Sequence, residues 1–355
     1  MRIFYQLANQ KTILPDNGDT TNEINFMKAL STFAEVYYSG NLFQPNLPDY
    51  GLSEYNEPIL SRLNDSYDVY YIRANRDVLL NCPKNKPKIW VGSPFDKDCY
   101  EQADMIATYS ERWAEILRKG IPIGYIPSHL ARRWKTALNV NQVVGESFKP
   151  LKKHERSKEI YNQIGASFLV GYFGRLVEST YPFAFLSEFK KFSSRFPGFR
   201  FLIGTRQGKL QRSHNNSKII MKHFSYEDVP YAISACDVIL LSNWGYEWDL
   251  CGCTKLLEAC ACGIPVVLPY SSARAEVLGK DYPFFIPPLQ GLHKRHLHAN
   301  IIYKTLQKLM KMKKKKRLRS IGKTLEKKVK PYTIKFAGER LKRIFVDIVN
   351  RKNNG

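Results

Sequence analysis

The feature of this chain that most constrains its fold is an alternation of short apolar runs with helix-like segments, which occurs twice. Each run has a continuous apolar centre, which is typical of strands buried on both faces of a sheet. Such strands alternating with helices predict a mostly parallel, doubly wound α/β sheet. The strand-like runs are MRIFYQL, EVYYSG, DVYYIRAN, PKIWVGSP, ADMIATYS and IPIGYIP in the first half, and SFLVGYFGRL, FRFLIGT, KIIMKHF, CDVILLSN and PVVLPY in the second.

A polar and charged stretch at residues 143–165 separates the two halves. The chain has 355 residues, which is long enough for two domains. We therefore predict tandem Rossmann-like domains at residues 1–150 and 151–330, facing a cleft beyond the carboxyl ends of their strands. The amphipathic segment at 331–350 is expected to form a helix that packs back on the first domain.

Local signals place two helices in the first half of the chain. Thr20 and Glu23 have the spacing of a capping box, which predicts that a helix begins there after a turn at Gly18. A second helix is expected from about Glu111 to Lys119. Both helices would follow strand-like runs, as a doubly wound sheet requires.

Charge is distributed unevenly. The net charge is +23, and residues 304–352 carry 19 Lys/Arg against 3 Asp/Glu, which is +16 of the total. The most basic part is KMKKKKRLRS at 311–320. A solvated helix face and attachment to an anionic membrane surface both explain such a segment. Nucleic acid is the least favoured partner, because the sequence has no zinc-finger spacing, no RNP motif and no aromatic residues interleaved with the basic run.

Seven cysteines, an odd and sparse number for this length, fit a reducing interior better than a disulfide framework. The sequence has no apolar run of about 18 residues. Its beginning, MRIFYQLANQ, lacks the apolar core and cleavage site of a signal peptide. We therefore expect a cytoplasmic protein, and peripheral contact with a membrane stays open.

Four of the cysteines lie in YEWDLCGCTKLLEACACGIPVVLP, residues 246–269, and their paired spacing suggests a metal site. A structural zinc site needs four ligands that converge on one ion. Cys260 and Cys262 fall within an apparent helix, in which residues two apart point about 200° away from each other. Because both cannot face one ion, we expect them to be small buried hydrophobic residues. We predict no metal site.

The same segment also has the loop, helix and strand pattern with which α/β proteins bind phosphate. Cys253 and Thr254 would begin the helix, whose free N–H groups and dipole attract an anion. Gly252 would let the backbone approach that anion closely. Lys255 lies in the first turn, where a cation is unfavourable unless an anion is present. Glu258 lies one turn later on the same face, and a carboxylate there suits the two hydroxyl donors of a ribose.

These residues resemble the nucleotide-sugar signature of retaining GT-B glycosyltransferases of family 4, the glycosyl transferases group 1. The resemblance is carried by GCTKLLEACACGIPVVLP, by VGYFGRLVES and by IIMKHFSYEDVPYAISACDVILLSN. It is specific over about residues 165–280 and general in fold over the N-terminal half. The resemblance implies a GT-B fold, in which two Rossmann-like domains face a cleft.

The resemblance also implies roles for individual residues. Arg175 and Lys255 would neutralise the donor diphosphate, and Glu258 would hold the ribose. His223 and Phe224 would border the base. The other donor-binding candidates are Gly18, Asp19, Gly174, Gly252, Cys253 and Thr254.

The sequence departs from the family's pattern at two places. The lysine that usually follows the Gly-Arg motif by five residues is replaced by Thr180. The first glutamate of the signature is replaced by Leu250. Either Glu247 or Asp249 would then contact the hydroxyls of the donor sugar, and both stay candidates for a catalytic role.

Candidate acceptor contacts follow two strands of the first half. Arg73 and Asn75 follow YYI, and Ser93 and Asp96 follow WVG. Strand ends facing a cleft are where binding residues of an α/β sheet lie. Each of the four also fits an ordinary turn or capping role. The family often has a histidine in this region of the first half. No histidine of this sequence occurs at a matching position, so no protein base is predicted.

The sequence thus predicts a glycosyltransferase that moves a sugar from a nucleoside diphosphate sugar to a hydroxyl of a glycan or lipid-linked acceptor. The resemblance implies retention of the anomeric configuration, with no metal and no other cofactor. Two alternatives stay open. One is a sugar-nucleotide epimerase of the same double fold, and the other is a non-catalytic protein that binds sugar nucleotides, membranes or nucleic acid.

Overall fold

The computed structural model describes residues 1–6, 18–39, 52–55, 63, 66–73, 75–91, 102–119, 137–140, 142–176, 182–205, 209–212, 216–242, 253–288 and 295–354. The chain divides into two compact units. The first consists of Met1–Val143 with Tyr332–Gly355, and the second of Val144–Pro331. Within the described ranges, no helix is long and apolar enough to cross a membrane.

The first unit is built on a parallel sheet of seven strands. Its strands are β1 Arg2–Gln6, β2 Glu35–Ser39, β3 Leu52–Tyr55, β4 Val69–Arg73, β5 Lys88–Val91, β6 Met105–Thr108 and β7 Ala137–Asn139. Its described helices are α1 Gly18–Ser31, α2 Arg76–Asn81, α3 Glu111–Lys119 and the C-terminal helix α12 Ile334–Asn354. The strands pair in the order β3-β2-β1-β4-β5-β6-β7, and all pairings are parallel.

Both faces of this sheet are apolar. Successive side chains of a strand point to opposite faces, so a continuous apolar run supplies apolar side chains to both. Ile3, Tyr5 and Tyr71 belong to one buried cluster, together with residues of α1 and α12. Phe4 and Tyr70 belong to the other, together with residues of α2 and α3. The continuous apolar runs of the sequence therefore form strands covered on both sides, as predicted.

The C-terminal helix α12 packs against α1 in the first unit. Gly338 makes this approach possible, because a Cβ at that position would lie 2.2 Å from Thr32 Oγ1 and 2.8 Å from the Ala29 carbonyl oxygen. Farther along α12, Lys352 Nζ lies 2.7 Å from Asp104 Oδ1. The last helix is thus part of the same compact unit as the first sheet.

The second unit is built on a parallel sheet of six strands. The strands are β8 Phe168–Phe173, β9 Phe199–Gly204, β10 Ile219–Lys222, β11 Val238–Leu240, β12 Val266–Pro269 and β13 Phe285–Ile286. The described helices are α4 Glu155–Ile164, α5 Phe183–Leu186, α6 Phe189–Arg195, α7 Val229–Ala235, α8 Thr254–Ala261, α9 Ser272–Leu278, α10 Arg295–Lys314 and α11 Leu318–Val329. The order is β10-β9-β8-β11-β12-β13, again with parallel pairings throughout.

In each sheet the first strand lies between its own second and fourth strands, so the order of connection reverses there. The reversal falls between β1 and β4 in the first unit and between β8 and β11 in the second. Neighbouring connections leave such a point in opposite directions and open a crevice beyond the carboxyl ends of the strands, where ligands of doubly wound sheets bind. The fold therefore places a candidate binding region at β8 and β11.

A buried aspartate ties several elements of the second unit together. Asp237 has 1% of its side chain exposed, and its carboxylate lies 2.9 Å from Lys152 Nζ and 2.7 Å from Lys313 Nζ. The same carboxylate accepts a hydrogen bond from the backbone N–H of Leu169 at the start of β8. Lys313 belongs to the basic run 311–320, so one member of that run anchors the end of α10 and is not simply a solvated charge.

Several local predictions differ from the structure. Helix α1 begins at Gly18, two residues before the predicted cap at Thr20, and the Glu23 carboxylate pairs with Arg73 at 2.9 Å. The predicted capping box is therefore wrong, because the Glu23 carboxylate pairs with the buried guanidinium of Arg73.

The charged stretch at 143–165 contains α4 of the second unit. His154 caps α4 by accepting from the Arg156 N–H, and Gly165 ends it at φ 62°.

The sequence missed β3, β7 and β13, which have four, three and two residues and lie at the edges of the two sheets. Strands this short show little hydrophobic periodicity. The predicted strand IPIGYIP lies outside the described residues.

Candidate functional site

The candidate donor site lies in the second unit, beyond the strands at which the connections reverse. Gly174 and Arg175 directly follow β8, and helix α8 follows β11, its neighbour in the sheet. The Gly174 N–H donates to the Gly204 carbonyl oxygen at the end of β9, at 3.1 Å. The Tyr172 hydroxyl donates to the Arg175 carbonyl oxygen at 2.6 Å. These bonds fix the turn in place, while the Arg175 side chain is exposed.

Helix α8 begins where the sequence predicts. Cys253 is the N-cap, and no side chain caps the helix at this position. At the other end, the Gly263 N–H donates to Cys260 and the Ile264 N–H donates to Ala259, with Gly263 at φ 69°. This is the usual glycine stop of a helix. The first turn of α8 contains no acidic residue, so no side chain of that turn compensates the positive end of the helix dipole.

Lys255 and Glu258 form an ion pair on α8. Lys255 Nζ lies 2.7 Å from Glu258 Oε2, and the two side chains are 25% and 1% exposed. The pairing follows from their i, i+3 spacing. It also holds the ammonium group in the first turn, where the dipole alone would disfavour a cation.

The other oxygen of Glu258 is the unusual atom of the site. Within the described part of the chain, Oε1 is buried and has no hydrogen-bond partner. Burial raises the pKa of the Glu258 carboxyl, and the pairing with Lys255 offsets only part of this shift. An unsatisfied buried acceptor is costly, on the order of 1–3 kcal/mol. A ligand that offers O–H or N–H donors would remove this cost.

The predicted base-binding residues follow β10. His223 is exposed and Phe224 is half-buried. The Phe224 ring lies 6.1 Å from the ring of Phe173, measured between centroids, and Phe173 is the last residue of β8. The loop after β10 is therefore in contact with the strand that carries Gly174 and Arg175.

Several predicted residues lie outside the part of the chain that the structure describes. They are Glu247, Asp249 and Gly252 of the donor site, Ser93 and Asp96 of the acceptor site, and the two departures Thr180 and Leu250. Gly18 and Asp19 are described only by their backbone, which forms the first residues of α1. The sequence predicted a helix that begins at Thr20 after a turn at Gly18, whereas the structure includes both residues in the helix.

In the first unit, the structure brings Arg73 together with a residue that the sequence analysis did not assign to the site. Arg73 ends β4, and its guanidinium lies 2.9 Å from the Glu23 carboxylate, with 12% and 3% of the side chains exposed. Burial alone would lower the pKa of Arg73, but Tyr109 and Glu23 hold it well above its ordinary value. Asn75 has a local role, because its Oδ1 accepts from the Val78 N–H and caps α2.

A second residue that sequence reasoning missed is Arg274 on α9. Its side chain is almost fully buried, and Nη1 donates to the Pro269 carbonyl oxygen at the end of β12, at 2.8 Å. Burial raises the pKa of the Cys253 thiol, and the charge of Arg274 partly opposes that shift. The charge of Arg274 therefore acts on the N-cap of α8. The available signal was an arginine in the first turn of a helix that Ser271 caps, shortly after the strand β12.

The cysteines of the segment behave as packing residues. Cys253, Cys260 and Cys262 are buried thiols, and burial raises the pKa of Cys262 to about 12. Among the residues described, no group of three or more His, Cys, Asp or Glu side chains is arranged to hold a metal ion. Cys251 lies outside the described residues.

Comparison with known proteins agrees with this geometry. Residues 167–292 match the family model described as glycosyl transferases group 1. This range contains all of the described donor candidates except Gly18 and Asp19. No curated protein matches the chain significantly.

Solved structures resemble the chain over nearly its whole length. The Anabaena protein Alr3699/HepE, solved in complex with UDP-glucose, is 14% identical, covers 98% of this chain and 100% of its own, and has a TM-score of 0.67. A glycosyltransferase from Rickettsia africae ESF-5 is 10% identical, covers 98% of both chains and has a TM-score of 0.71.

The pneumococcal O-GlcNAc transferase GtfA, solved with UDP and GlcNAc, is 13% identical, covers 79% of this chain and 57% of its own, and has a TM-score of 0.53. The predicted resemblance to group 1 glycosyltransferases and the predicted GT-B fold are confirmed.

Proposed function

With a glycosyl transferases group 1 domain at residues 167–292 and a GT-B fold as the premise, we propose that this chain is a glycosyltransferase whose donor is a nucleoside diphosphate sugar. One observation carries the proposal: the buried Glu258 has one oxygen on Lys255 and the other without a partner in the described chain. A ribose diol offers two O–H donors at close spacing, which suits a carboxylate in this state. Among the similar structures, HepE was solved with UDP-glucose and GtfA with UDP and GlcNAc, which supports this donor class.

Positive charge for the diphosphate would come from three sources, which follow β8, β11 and β12. Lys255 and the free N–H groups at the start of α8 form one, and Arg175 after β8 forms another. Arg274 adds a third, since its buried charge acts on the N-cap of α8. As the bond between sugar and diphosphate breaks, negative charge develops on the diphosphate, and groups already in position stabilise it. In this proposal these cations take the place of a metal.

The acceptor is proposed to be a hydroxyl of a glycan or of a lipid-linked molecule. In the reaction the acceptor oxygen bonds to the anomeric carbon, the bond from that carbon to the diphosphate breaks, and the hydroxyl proton passes to a phosphate oxygen. This route needs no protein base, and the sequence offers no histidine for that role. Retention of the anomeric configuration is part of the proposal and rests on the resemblance to family 4.

We also propose that the protein works in a reducing compartment, the cytoplasm. The five cysteines in the described ranges are unpaired and buried. Buried thiols without disulfide partners are typical of proteins from such a compartment.

The test is a donor panel. The chain is incubated with UDP-, GDP- and ADP-sugars, with and without glycan and lipid-linked acceptors, and the products are identified by mass spectrometry. We expect one donor class to release its nucleoside diphosphate faster when an acceptor is present. Arg175→Ala and Lys255→Ala should slow release by roughly 100-fold or more, which is typical for removing one charge-stabilising group. Lys191→Ala, at an exposed position of α6, is the matched control and should be unaffected.

Other outcomes would overturn the proposal. An intact sugar nucleotide with an altered sugar would identify an epimerase. Binding of a sugar nucleotide without any turnover would identify a non-catalytic binding protein. Equal rates in Lys255→Ala and Lys191→Ala would remove the site assignment.

A further inference from the structure

Helices α10 and α11 and the turn between them form a strongly basic surface of the second unit. Between residues 304 and 330, twelve Lys and Arg side chains are exposed, and the only acid is the partly buried Glu326. We call these twelve residues the α10–α11 basic surface. Lys313 is excluded, because it is directed to Asp237 and Tyr161 inside the unit. The surface thus comprises every Lys and Arg between residues 304 and 330 except Lys313, which has a structural role.

The exposed charges follow the geometry of the helices. On α10, Lys304, Lys308 and Lys311 recur at the spacing of one helix stripe. On α11, Arg319 and Lys323 begin a similar stripe, whereas Gly322, Leu325 and Val329 form the buried face. The basic residues therefore lie on the solvent side of both helices.

The turn at residues 315–317, which follows Lys314 at the end of α10, carries its charges at a cost to the local fold. Lys316 is the only non-glycine residue of the described chain with a positive φ, at 57°. Glycine is the usual residue at this position after a helix, because a Cβ is disfavoured there. Arg317 is the N-cap of α11 and makes no side-chain capping bond. Serine, threonine, asparagine or aspartate would serve better at that position.

The helix dipole does not account for these charges either. Lysines at the end of α10 are favoured by it, but Arg317 and Arg319 lie at the beginning of α11, where cations are disfavoured. No ion pair of the described residues involves Lys314, Lys315, Lys316 or Arg317. Folding alone would thus select other residues at this turn, and an external anionic partner explains the choice.

We propose that the α10–α11 basic surface docks on an anionic lipid membrane. Ten of its twelve residues are lysines, which are compact mobile charges suited to a diffuse layer of lipid head groups. A nucleic acid is a poorer match, because residues 304–330 contain no aromatic side chain on which bases would stack. Clusters of four to eight basic residues are the pattern by which such surfaces bind anionic lipids.

This inference goes beyond the proposed function, since docking requires neither donor nor acceptor. The two are nevertheless adjacent in the fold, because α11 packs directly on the donor-site helix α8. A Cβ on Gly322 of α11 would lie 2.3 Å from the carbonyl oxygen of Gly263, which follows α8. Together the two proposals favour a lipid-linked acceptor.

The experiment uses the full chain and vesicles of phosphatidylcholine, with or without about a third of phosphatidylglycerol. The test variant combines Lys314→Gln, Lys315→Gln, Lys316→Gly and Arg317→Ser. Its last two changes give the turn the residues that the local backbone prefers, so the variant should fold at least as well as the native chain. The matched control removes four exposed charges elsewhere in the same unit: Lys153→Gln, Lys158→Gln, Lys190→Gln and Lys191→Gln.

We expect the native chain to co-sediment with anionic vesicles and not with neutral ones, and to be released by high salt. The test variant should bind anionic vesicles roughly 100-fold more weakly or worse, since each basic residue near the surface contributes independently. The control should bind like the native chain. Calorimetric titration with UDP, GDP and ADP should show that all three proteins bind the same nucleoside diphosphate with the same affinity. This measurement separates a failure of docking from a failure of the proposed function.

Three results would overturn the docking proposal. The first is an absence of binding to anionic vesicles. The second is an equal loss of binding in test and control variants, which would show a response to net charge alone. The third is tighter binding to a single-stranded oligonucleotide than to vesicles, with the same dependence on residues 314–317.

Discussion

Replacing Asp237 with asparagine tests whether the buried carboxylate stabilises the second unit. The substitution keeps the shape and one oxygen for the Leu169 N–H, and it removes the charge that faces Lys152 at 2.9 Å and Lys313 at 2.7 Å. The two lysines differ in exposure: 50% of the Lys152 side chain is exposed, against 32% of the Lys313 side chain. Water can therefore replace the carboxylate at Lys152 at little cost, whereas at Lys313 the replacement is incomplete.

The expected cost of Asp237→Asn is about 2–3 kcal/mol. This lies below the roughly 3–5 kcal/mol for breaking a fully buried pair, because both cations are partly exposed. Lys313 also keeps other acceptors, the Tyr161 hydroxyl at 2.8 Å and the Ser167 carbonyl oxygen at 2.7 Å. Lys313→Gln should cost about 1–2 kcal/mol, and the control Lys152→Gln less than about 1 kcal/mol, as for exposed pairs.

The pH dependence has a definite sign. Burial by itself lowers the pKa of Lys313, but Asp237 and Tyr161 raise it above the ordinary value of 10.5. A cation with a raised pKa in the folded state contributes its stability below the ordinary value, and loses it as the pH rises through the raised one. The difference between native chain and Lys313→Gln should therefore be constant near neutral pH and shrink only in strong alkali.

The assay is urea unfolding followed by circular dichroism, with hydrogen exchange at β8 to assign the loss to the second unit. Two units can unfold separately, so the exchange measurement is needed. An Asp237→Asn chain within about 0.5 kcal/mol of native stability would refute the reasoning, since a change of that size is typical of an unconstrained surface site. So would a loss in Lys152→Gln as large as that in Lys313→Gln.

Three further predictions follow from particular contacts. Affinity for whichever of UDP, GDP and ADP the chain binds should fall as the pH drops through the raised pKa of Glu258, because only the ionised carboxylate accepts two O–H donors. Calorimetry should find a flatter pH profile in Glu258→Gln, and identical profiles would exclude this role. Gly322→Ala should lower the free energy of unfolding by about 1–3 kcal/mol, because its Cβ would overlap the Gly263 carbonyl oxygen. Thermal unfolding measures this loss, and unchanged stability would contradict the close packing of α11 on Gly263. Glu23→Gln should lower the free energy of unfolding by about 3 kcal/mol, because it leaves the Arg73 cation buried without its carboxylate. A double-mutant cycle with Arg73→Met measures the coupling energy, and the absence of coupling would contradict the ion pair.

Helix α8 was predictable because its signals are local. Cys253 and Gly263 mark the two ends of α8, and the spacing of Lys255 and Glu258 places both on one face. The burial of Cys260 in α8 and of Cys262 at its C-cap was also predictable, from the apolar pattern of the helix and the strand that comes next. Local sequence cannot supply the depth of Glu258, which depends on how the sheet and neighbouring helices pack around it.

Other features depend on contacts between distant parts of the chain. Glu23 and Arg73 are separated by 50 residues, and a capping role for Glu23 was the simpler local explanation. Lys313 is one of several identical lysines in a row, and only the fold singles it out for Asp237. The short edge strands carry too little periodicity to be recognised. In each case the missing information is tertiary.

The most direct test of the central claim is a calorimetric titration of the chain with UDP, GDP and ADP, repeated in Glu258→Ala, Arg175→Ala and the control Lys191→Ala. One nucleoside diphosphate should bind the native chain. Its affinity should be weakened about 10- to 100-fold in each of the two site variants, as expected for the loss of a charge-assisted hydrogen bond. The control should bind like the native chain. Undiminished affinity in both site variants, or no binding of any nucleoside diphosphate, would contradict the account.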